Sequence, residues 1–403
     1  MQQISKNISR LYEIANKPER LIIGLMSGTS VDGLDIALCQ FSQAGMDTRI
    51  RLLQFETIPY GSDYKEEIGA IFSKRNVDLE KVCLLNGWIA RQHARMILQC
   101  LGKWNIDRDT IDLVASHGQT IFHAPRSLHG QAKFDNATLQ IGDGDHLAVE
   151  SGIITLSDFR QKHIAAGGEG APLAAYGDYL IFSKKGENRI MLNIGGIANF
   201  TFLPGNLHAD EVFCSDTGPG NTLMDAYIRT HYAGKYFDEG AKLALKGTVH
   251  EKLLAALKDH PFFNQDFPKT TGPELFNLAY LDEAIKNSAA SAISPEDILA
   301  TLNRFSADTI TAAICEVVKE TADFYFYVSG GGMHNPLLMK NISDQLPGCV
   351  FRSTKELDIN PDAKEAVLFA VLANETICGS GVHFGNGRNG IPNVSLGKIS
   401  FPS

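Results

Sequence analysis

A strand, a glycine-bearing turn and two more strands follow one another twice along this chain, at 21–57 and again at 189–216. In the first set LIIGL (21–25) leads through MSGTSVDG (26–33) into LDIALCQF (34–41) and RIRLLQFET (49–57). In the second, RIMLNIGG (189–196) leads into IANFTFL (197–203) and EVFCSD (211–216). Strands so close in sequence pair as an antiparallel meander. Each set is followed by helical spacing. Residues 62–73 and about 78–104 (Val82, Leu85, Ile89 and Met96 on one face) follow the first set, and a mainly helical stretch from 219 to about 322 follows the second. Further strands are expected at 111–118, 153–159 and within FYFYVSGGG (324–332). TLQIGDGDHLAVESG predicts a strand and then a helix capped by Asp143 or Asp145. A helix should start near Asn335–Pro336, where proline suits the first turn, and another should span 362–376. The pattern is an α/β architecture written twice. Two such halves facing each other leave a cleft, and ligands commonly bind at domain interfaces. The 403 residues suffice for two domains. We expect one of residues 1–160 completed by 371–403, and a second of 161–370.

Several function classes drop out on composition. Hydrophobic residues make up 44% and charged residues 21%, enough for the whole chain to fold. No apolar run is long enough to span a bilayer, and the first twenty residues lack the apolar centre of a secretion signal. The expectation is a cytoplasmic protein with no membrane partner, and the segment before Leu21 is assigned no function. The net charge of −9 comes without basic clusters, which argues against nucleic acid as a partner. A local Arg or Lys can still bind an anion. The seven cysteines include no CxxC pair, so no zinc site is expected, and reduced, buried thiols are the simplest reading.

Three glycine turns carry chemistry. In Gly28-Thr29-Ser30-Val31-Asp32-Gly33-Leu34-Asp35 a strand follows, so neither a P-loop nor a dinucleotide fingerprint fits, since both must open a helix. Such a turn is either an anion-binding concavity, with Asp32 and Asp35 holding a hydrated Mg²⁺, or an ordinary polar hairpin. It holds more small polar residues than a hairpin needs. Asn193-Ile-Gly195-Gly196-Ile-Ala-Asn199 alone reads almost equally well as a tight hairpin. Gly330-Gly331-Gly332, ahead of Asn335, either lets backbone approach a flat ligand or is a plain strand-to-helix connection.

In this order the three turns resemble the phosphate-1, phosphate-2 and adenosine segments of the superfamily of sugar kinases, actin and heat-shock chaperones. Longer stretches narrow the resemblance: SHGQTIFH (116–123), LQIGDGDHLA (139–148), SDFR (157–160), AAGGEGAPL (165–173), LNIGGIANF (192–200), DTGPGN (216–221), KTTGPELFN (269–277) and SGGGMHNPLLM (329–339). With MSGTSVDGLD (26–35) they are similar to the anhydro-N-acetylmuramic acid kinase family along nearly the whole chain after residue 20. Glu169 and Ser329 depart from that pattern, and Glu169 adds a charge to a candidate binding loop.

The resemblance implies a two-domain actin/hexokinase-like fold of ribonuclease-H-like halves with an interdomain active-site cleft, the cofactors ATP and Mg²⁺, and a homodimer. Its reaction opens a 1,6-anhydro sugar with water and phosphorylates the released O6. A kinase for another anhydro-sugar, such as 1,6-anhydroglucose, and a non-catalytic ATP-binding conformational protein stand as alternatives. The implied nucleotide contacts are Gly28, Thr29, Ser30, Val31, Asp32, Gly33, Leu34, Asp35, Gly195, Gly196, Gly330, Gly331, Gly332 and Asn335, with Asp32 on the metal. Asp216 is implied as the base that activates water, as a carboxylate does in inverting glycosidases. Its position alone favours a helix N-cap instead. Glu365 is the second implied carboxylate, and by composition an exposed helical Glu. Arg160 is a candidate for the substrate's carboxylate or a surface ion pair. His117, with Asn199 and Arg160, is implied at the sugar. For His117 and His123 a backbone-bonded histidine at a strand end is the other reading.

Overall fold

The computed structural model describes residues 4–28, 31–288, 293–317, 324–357, 359–379, 382, 384 and 391–403. Two compact units emerge: Met1–Phe182 with Asp358–Ser403, and Ser183–Leu357. Residues 161–182 and 359–370, expected in the second domain, therefore pack with the first.

The first unit is built on β1 (Glu19–Ser27), β2 (Gly33–Ser42), β3 (Arg49–Pro59), β4 (Leu113–Ala124), β5 (Ala137–Ile141) and β6 (Thr155–Ser157). The second is built on β7 (Asn188–Ile194), β8 (Ile197–Leu203), β9 (Phe213–Pro219), β10 (Phe324–Ser329) and β11 (Val350–Ser353), while β12 (Lys398–Ser400) returns to the first. In the first sheet β3-β2-β1 is antiparallel, and β4 and then β6 continue parallel to β1. The second repeats this with β9-β8-β7 antiparallel and β10, β11 parallel. A parallel neighbour needs a crossover, which helices Ser62–Ile71 and Leu79–Trp104 provide in the first unit. The helical stretch between β9 and β10 does the same in the second.

Each sheet buries its apolar face under helices. Leu25, Leu34, Ile36 and Leu38 pack with Ile89 and Ile97 in the first core; Ile190, Leu192, Ile194 and Phe200 pack with Leu302, Phe305 and Leu338 in the second. Helix Lys364–Cys378 lies so close on β1 that a Cβ at Gly24 would meet the Ala366 carbonyl oxygen at 1.9 Å. That contact fixes where Glu365, at the start of the helix, is presented. The segment before β1 forms the helix Lys6–Asn16. Cys39, Cys100 and Cys214 are buried as expected, but Cys83 and Cys315 are exposed. Among the described residues no helix is long and apolar enough to cross a membrane.

Candidate active site

The first turn runs from Ser27, at the end of β1, to Gly33; Thr29 and Ser30 lie outside the described residues. Val31 takes a left-handed conformation (φ 56°) and its N–H reaches the Gly28 carbonyl at 3.3 Å. Two groups pin the turn from below. The Gln119 amide donates to the Gly28 carbonyl at 3.3 Å, and the Tyr60 N–H to the Asp32 carbonyl at 3.0 Å. Gln119 is itself fixed by Ser27, whose hydroxyl donates to Oε1 at 2.5 Å, and Tyr60 donates to the Ser27 Oγ at 2.7 Å. With its proton so committed, the Tyr60 oxygen accepts from His93 Nε2 at 3.0 Å, and the buried His93 Nδ1 has no hydrogen-bond partner among the described residues. Burial holds the His93 pKa down to about 3, so the ring is neutral. None of Tyr60, His93 and Gln119 was singled out from the sequence, though Gln119 lies in the stretch SHGQTIFH.

Two residues of this turn have structural reasons for their identity. A Cβ at Gly33 would meet the Ile58 carbonyl oxygen of β3 at 2.6 Å. The Leu34 side chain is in the core, so it can offer a ligand only backbone. Asp32 is exposed. Asp35 accepts from Thr57 Oγ1 at 2.5 Å. Its carboxyl is pushed up by desolvation, against Thr57 and with Asp362 adding like charge. Carboxylate oxygens carrying uncompensated negative charge suit a hard, hydrated cation such as Mg²⁺.

Arg160 sits in the short helix Phe159–Ala165 and is half-buried. Its Nε donates to His117 Nε2 at 3.0 Å and its Nη1 to the Gly170 carbonyl at 2.7 Å. Because His117 Nε2 accepts, its Nδ1 carries the proton and donates to the Gly118 carbonyl at 2.9 Å. His117 lies within β4, which runs on to Ala124, rather than at a strand end. Burial, with the Arg160 charge beside it, holds His117 well below its usual range and brings His123 to about 4. Burial lowers Arg160 itself to about 10, which leaves it a cation at neutral pH. Glu365 is exposed, as composition suggested. Desolvation by the surrounding atoms still raises its pKa, with Arg160 and Lys364 opposing and Asp35 reinforcing. A cavity of about 680 Å³ opens in this unit where Ser116–Gly118, Gln140–Asp145 and Ser157 meet, three of the stretches that carry the resemblance. The helix after Gln140 is capped by Asp143, whose Oδ1 accepts from Asp145 and His146.

In the second unit the turn between β7 and β8 is held by backbone. The Gly195 carbonyl accepts from Asn221 N–H at 2.9 Å, and Gly196 from Gly220 at 2.8 Å and Thr222 at 3.0 Å. A Cβ at Gly195 would come no nearer than 3.4 Å to the Ile197 oxygen, and one at Gly196 would be 3.8 Å from Thr222 Cβ. Neither glycine has a positive φ. Packing and conformation thus leave their identity unexplained, and the close approach of a ligand would explain it. Helix Thr222–His231 opens beside them with no side-chain cap on its first turn, the arrangement that suits an anion. Gly331 is open in the same way, with only Asn221 Nδ2 at 3.8 Å. Gly330 and Gly332 are structural: the first has φ 82° and would place a Cβ 2.6 Å from the Ile194 oxygen, the second 2.2 Å from Ile194 Cγ2. Asn335 caps helix Pro336–Gln345, its Oδ1 accepting from Leu338 N–H at 3.0 Å and from Asn303 Nδ2 at 3.1 Å.

Asp216 is inside β9, which continues to Pro219, and the cap position of the next helix is Asn221. The N-cap reading of Asp216 is thereby corrected. Its register partner is Asn199, whose other neighbour is Asn193, which in turn pairs with Ser329. Cross-strand partners share a face, so these four polar residues form one row across the sheet. Ser329 Oγ donates to Asn193 Oδ1 at 3.4 Å. The Asp216 Oδ2 accepts from the Thr271 N–H at 2.9 Å.

Each of the two sheets carries a glycine turn at the end of its first strand, and the family and relatives of the chain make it a sugar kinase, a phosphotransferase. The anhydro-N-acetylmuramic acid kinase family model matches residues 20–401, and the chain belongs to that family. It is 57% identical over 400 residues to the anhydro-N-acetylmuramic acid kinase of Pseudoalteromonas atlantica, covering 99% of this chain and 100% of the relative. It is 37% identical to that of Caldanaerobacter subterraneus subsp. tengcongensis, covering 98% and 100%. A ROK family glucokinase from Streptomyces griseus, solved with glucose and AMPPNP, superposes with a TM-score of 0.36 at 13% identity, over 87% of this chain and 97% of that one. The strand orders, rather than that superposition, define the fold.

Proposed function

We propose that the protein uses ATP to open the 1,6-anhydro ring of 1,6-anhydro-N-acetylmuramic acid hydrolytically and to phosphorylate O6, giving N-acetylmuramic acid 6-phosphate. The observation that carries this reading within the family is the seat of Asp216: a strand-borne carboxylate with one oxygen tied to a backbone amide. Asp216 removes a proton from water as its oxygen bonds to the anomeric carbon. The C1–O6 bond breaks, its electron pair passes to O6, and O6 takes the γ-phosphoryl group while ADP leaves. Gly195, Gly196 and Gly331 give backbone access to the nucleotide, and Gly28, Val31 and Gly33 belong to a second turn assigned to nucleotide contact. Asp32, with Asp35, would hold Mg²⁺, which neutralises charge on the phosphates. Arg160, kept cationic and aimed by His117 and Gly170, binds the lactyl carboxylate; Asn199 and the neutral His117 contact the sugar. Glu365 is the second carboxylate assigned to the reaction. The protein works as a homodimer in the cytoplasm. Turnover with Mg·ATP and 1,6-anhydro-N-acetylmuramic acid in ¹⁸O-labelled water tests this. The expected product is a 6-phosphate labelled at the anomeric hydroxyl before that position exchanges. Unlabelled product, or ATP hydrolysis without sugar phosphate, would overturn it.

A further inference from the structure

The stretch KTTGPELFN (269–277) helped to place the chain in its family, yet the proposed reaction uses none of it. The structure explains its placement. Its first residue pairs with the strand that holds Asp216: the Asp216 N–H donates to the Lys269 carbonyl at 3.0 Å, the Lys269 N–H to Ser215 Oγ at 3.0 Å, and Ser215 Oγ back to the Lys269 carbonyl at 3.1 Å. Two residues on, the Thr271 N–H donates to the Asp216 Oδ2 at 2.9 Å. One short segment thus holds both the backbone and the carboxylate of the residue assigned as base. Among the described residues the buried Thr271 hydroxyl has no hydrogen-bond partner, a cost that natural structures seldom keep, and the segment tolerates it while placing that amide.

The anchor of the segment is the Lys269 side chain. Lys269 is only 6% exposed. Its ammonium donates to the Phe263 carbonyl at 3.2 Å and the Phe262 carbonyl at 3.4 Å, and lies 4.3 Å from the Phe267 ring centroid. Carbonyl dipoles, ring faces and the opposite charge of Glu316 offset the cost of burying the ammonium. A buried cation so placed fixes the start of the segment to the 3₁₀ turn Pro261–Asn264 and to Phe267.

We propose that Lys269 is a positioning residue for the reaction: by fastening this segment it keeps the Thr271 amide on Asp216, which sets the direction and the basicity of that carboxylate. The inference rests on the reading of Asp216 as the base. A hydrogen bond donated to a carboxylate favours its charged form. Loosening the segment should therefore make Asp216 titrate higher and aim less well.

The test is the pH profile of kcat/KM for the full chain, with nucleotide affinity measured alongside. In Lys269→Met the acid limb should move to higher pH by about one unit and kcat should fall on the order of tenfold or more, while ATP affinity stays within a few-fold, because the Gly195–Gly196 turn is held by other contacts. Lys269→Arg, which can still reach the carbonyls, should restore part of both. Should Lys269→Met fail to fold, Ser215→Ala loosens the same pairing and should move the limb in the same direction by less. An acid limb at its wild-type position in these variants overturns the proposal when Asp216→Asn is inactive, and leaves the base assignment standing. An Asp216→Asn variant that turns over with its acid limb intact removes the base assignment, and this inference with it.

Discussion

The two sheets have the same strand order, yet they hold their first turns differently. In the first unit side chains share the work: the Gln119 side-chain amide and the Tyr60 backbone N–H pin the turn, the Ser27, Tyr60 and His93 side chains form a network beneath it, and a neighbouring carbonyl forces glycine at 33. In the second unit the backbone amides of Gly220, Asn221 and Thr222 hold the turn, and nothing near Gly195 or Gly196 needs the missing Cβ. The same topology can therefore hold a glycine that packing requires in one copy and glycines that packing does not require in the other. Only the space around each residue tells them apart.

The sharpest contrast between the units is in their carboxylates. Asp216 is tied to an amide within a strand, whereas Glu365 is exposed at a helix start with its pKa raised. Asp216→Asn should lower kcat by about 10²–10⁴-fold with ATP affinity retained, and Glu365→Gln should cost less. Steady-state kinetics beside nucleotide titration read both, and near-normal turnover in Asp216→Asn would reverse the order.

The glycines test the comparison next. Gly33→Ala should destabilise the protein by about 1–3 kcal/mol, because its Cβ has no room. Gly196→Ala should leave the denaturation midpoint nearly unchanged and raise KM for ATP. A loss of stability at Gly196 that matched the loss at Gly33 would erase the distinction drawn here.

The smallest effect is on acid stability. His93 titrates near 6.5 when unfolded and near 3 when folded, so below 6.5 the unfolded chain binds the proton and the folded one does not. This contribution is present above pH 6.5 and is lost as pH falls towards 3. His93→Gln should flatten that part of the stability–pH curve, as read by urea denaturation at several pH values. An unchanged slope would mean that folding does not lower the His93 pKa.

Much of this was legible in the residues. The doubled strand pattern, the long helix after Asp78, the Asp143 cap and the Pro336 helix start rest on local rules of spacing, capping and backbone shape, and each appears where those rules put it. The short strands β11 and β12 were not legible, since three or four residues carry too little periodicity. Nor was the extent of β9: the glycine and proline after Asp216 look like a break, and pairing with β8 overrides them. The sequence by itself determined the two α/β halves, the glycine turns and the family, because those reside in order and local chemistry. Only the tertiary structure decided that Arg160 is aimed by His117, that Asp216 is gripped by a segment more than fifty residues away and that Gln119 anchors the first turn. These are contacts between residues far apart in the chain, and they exist only once packing has fixed where each backbone segment lies.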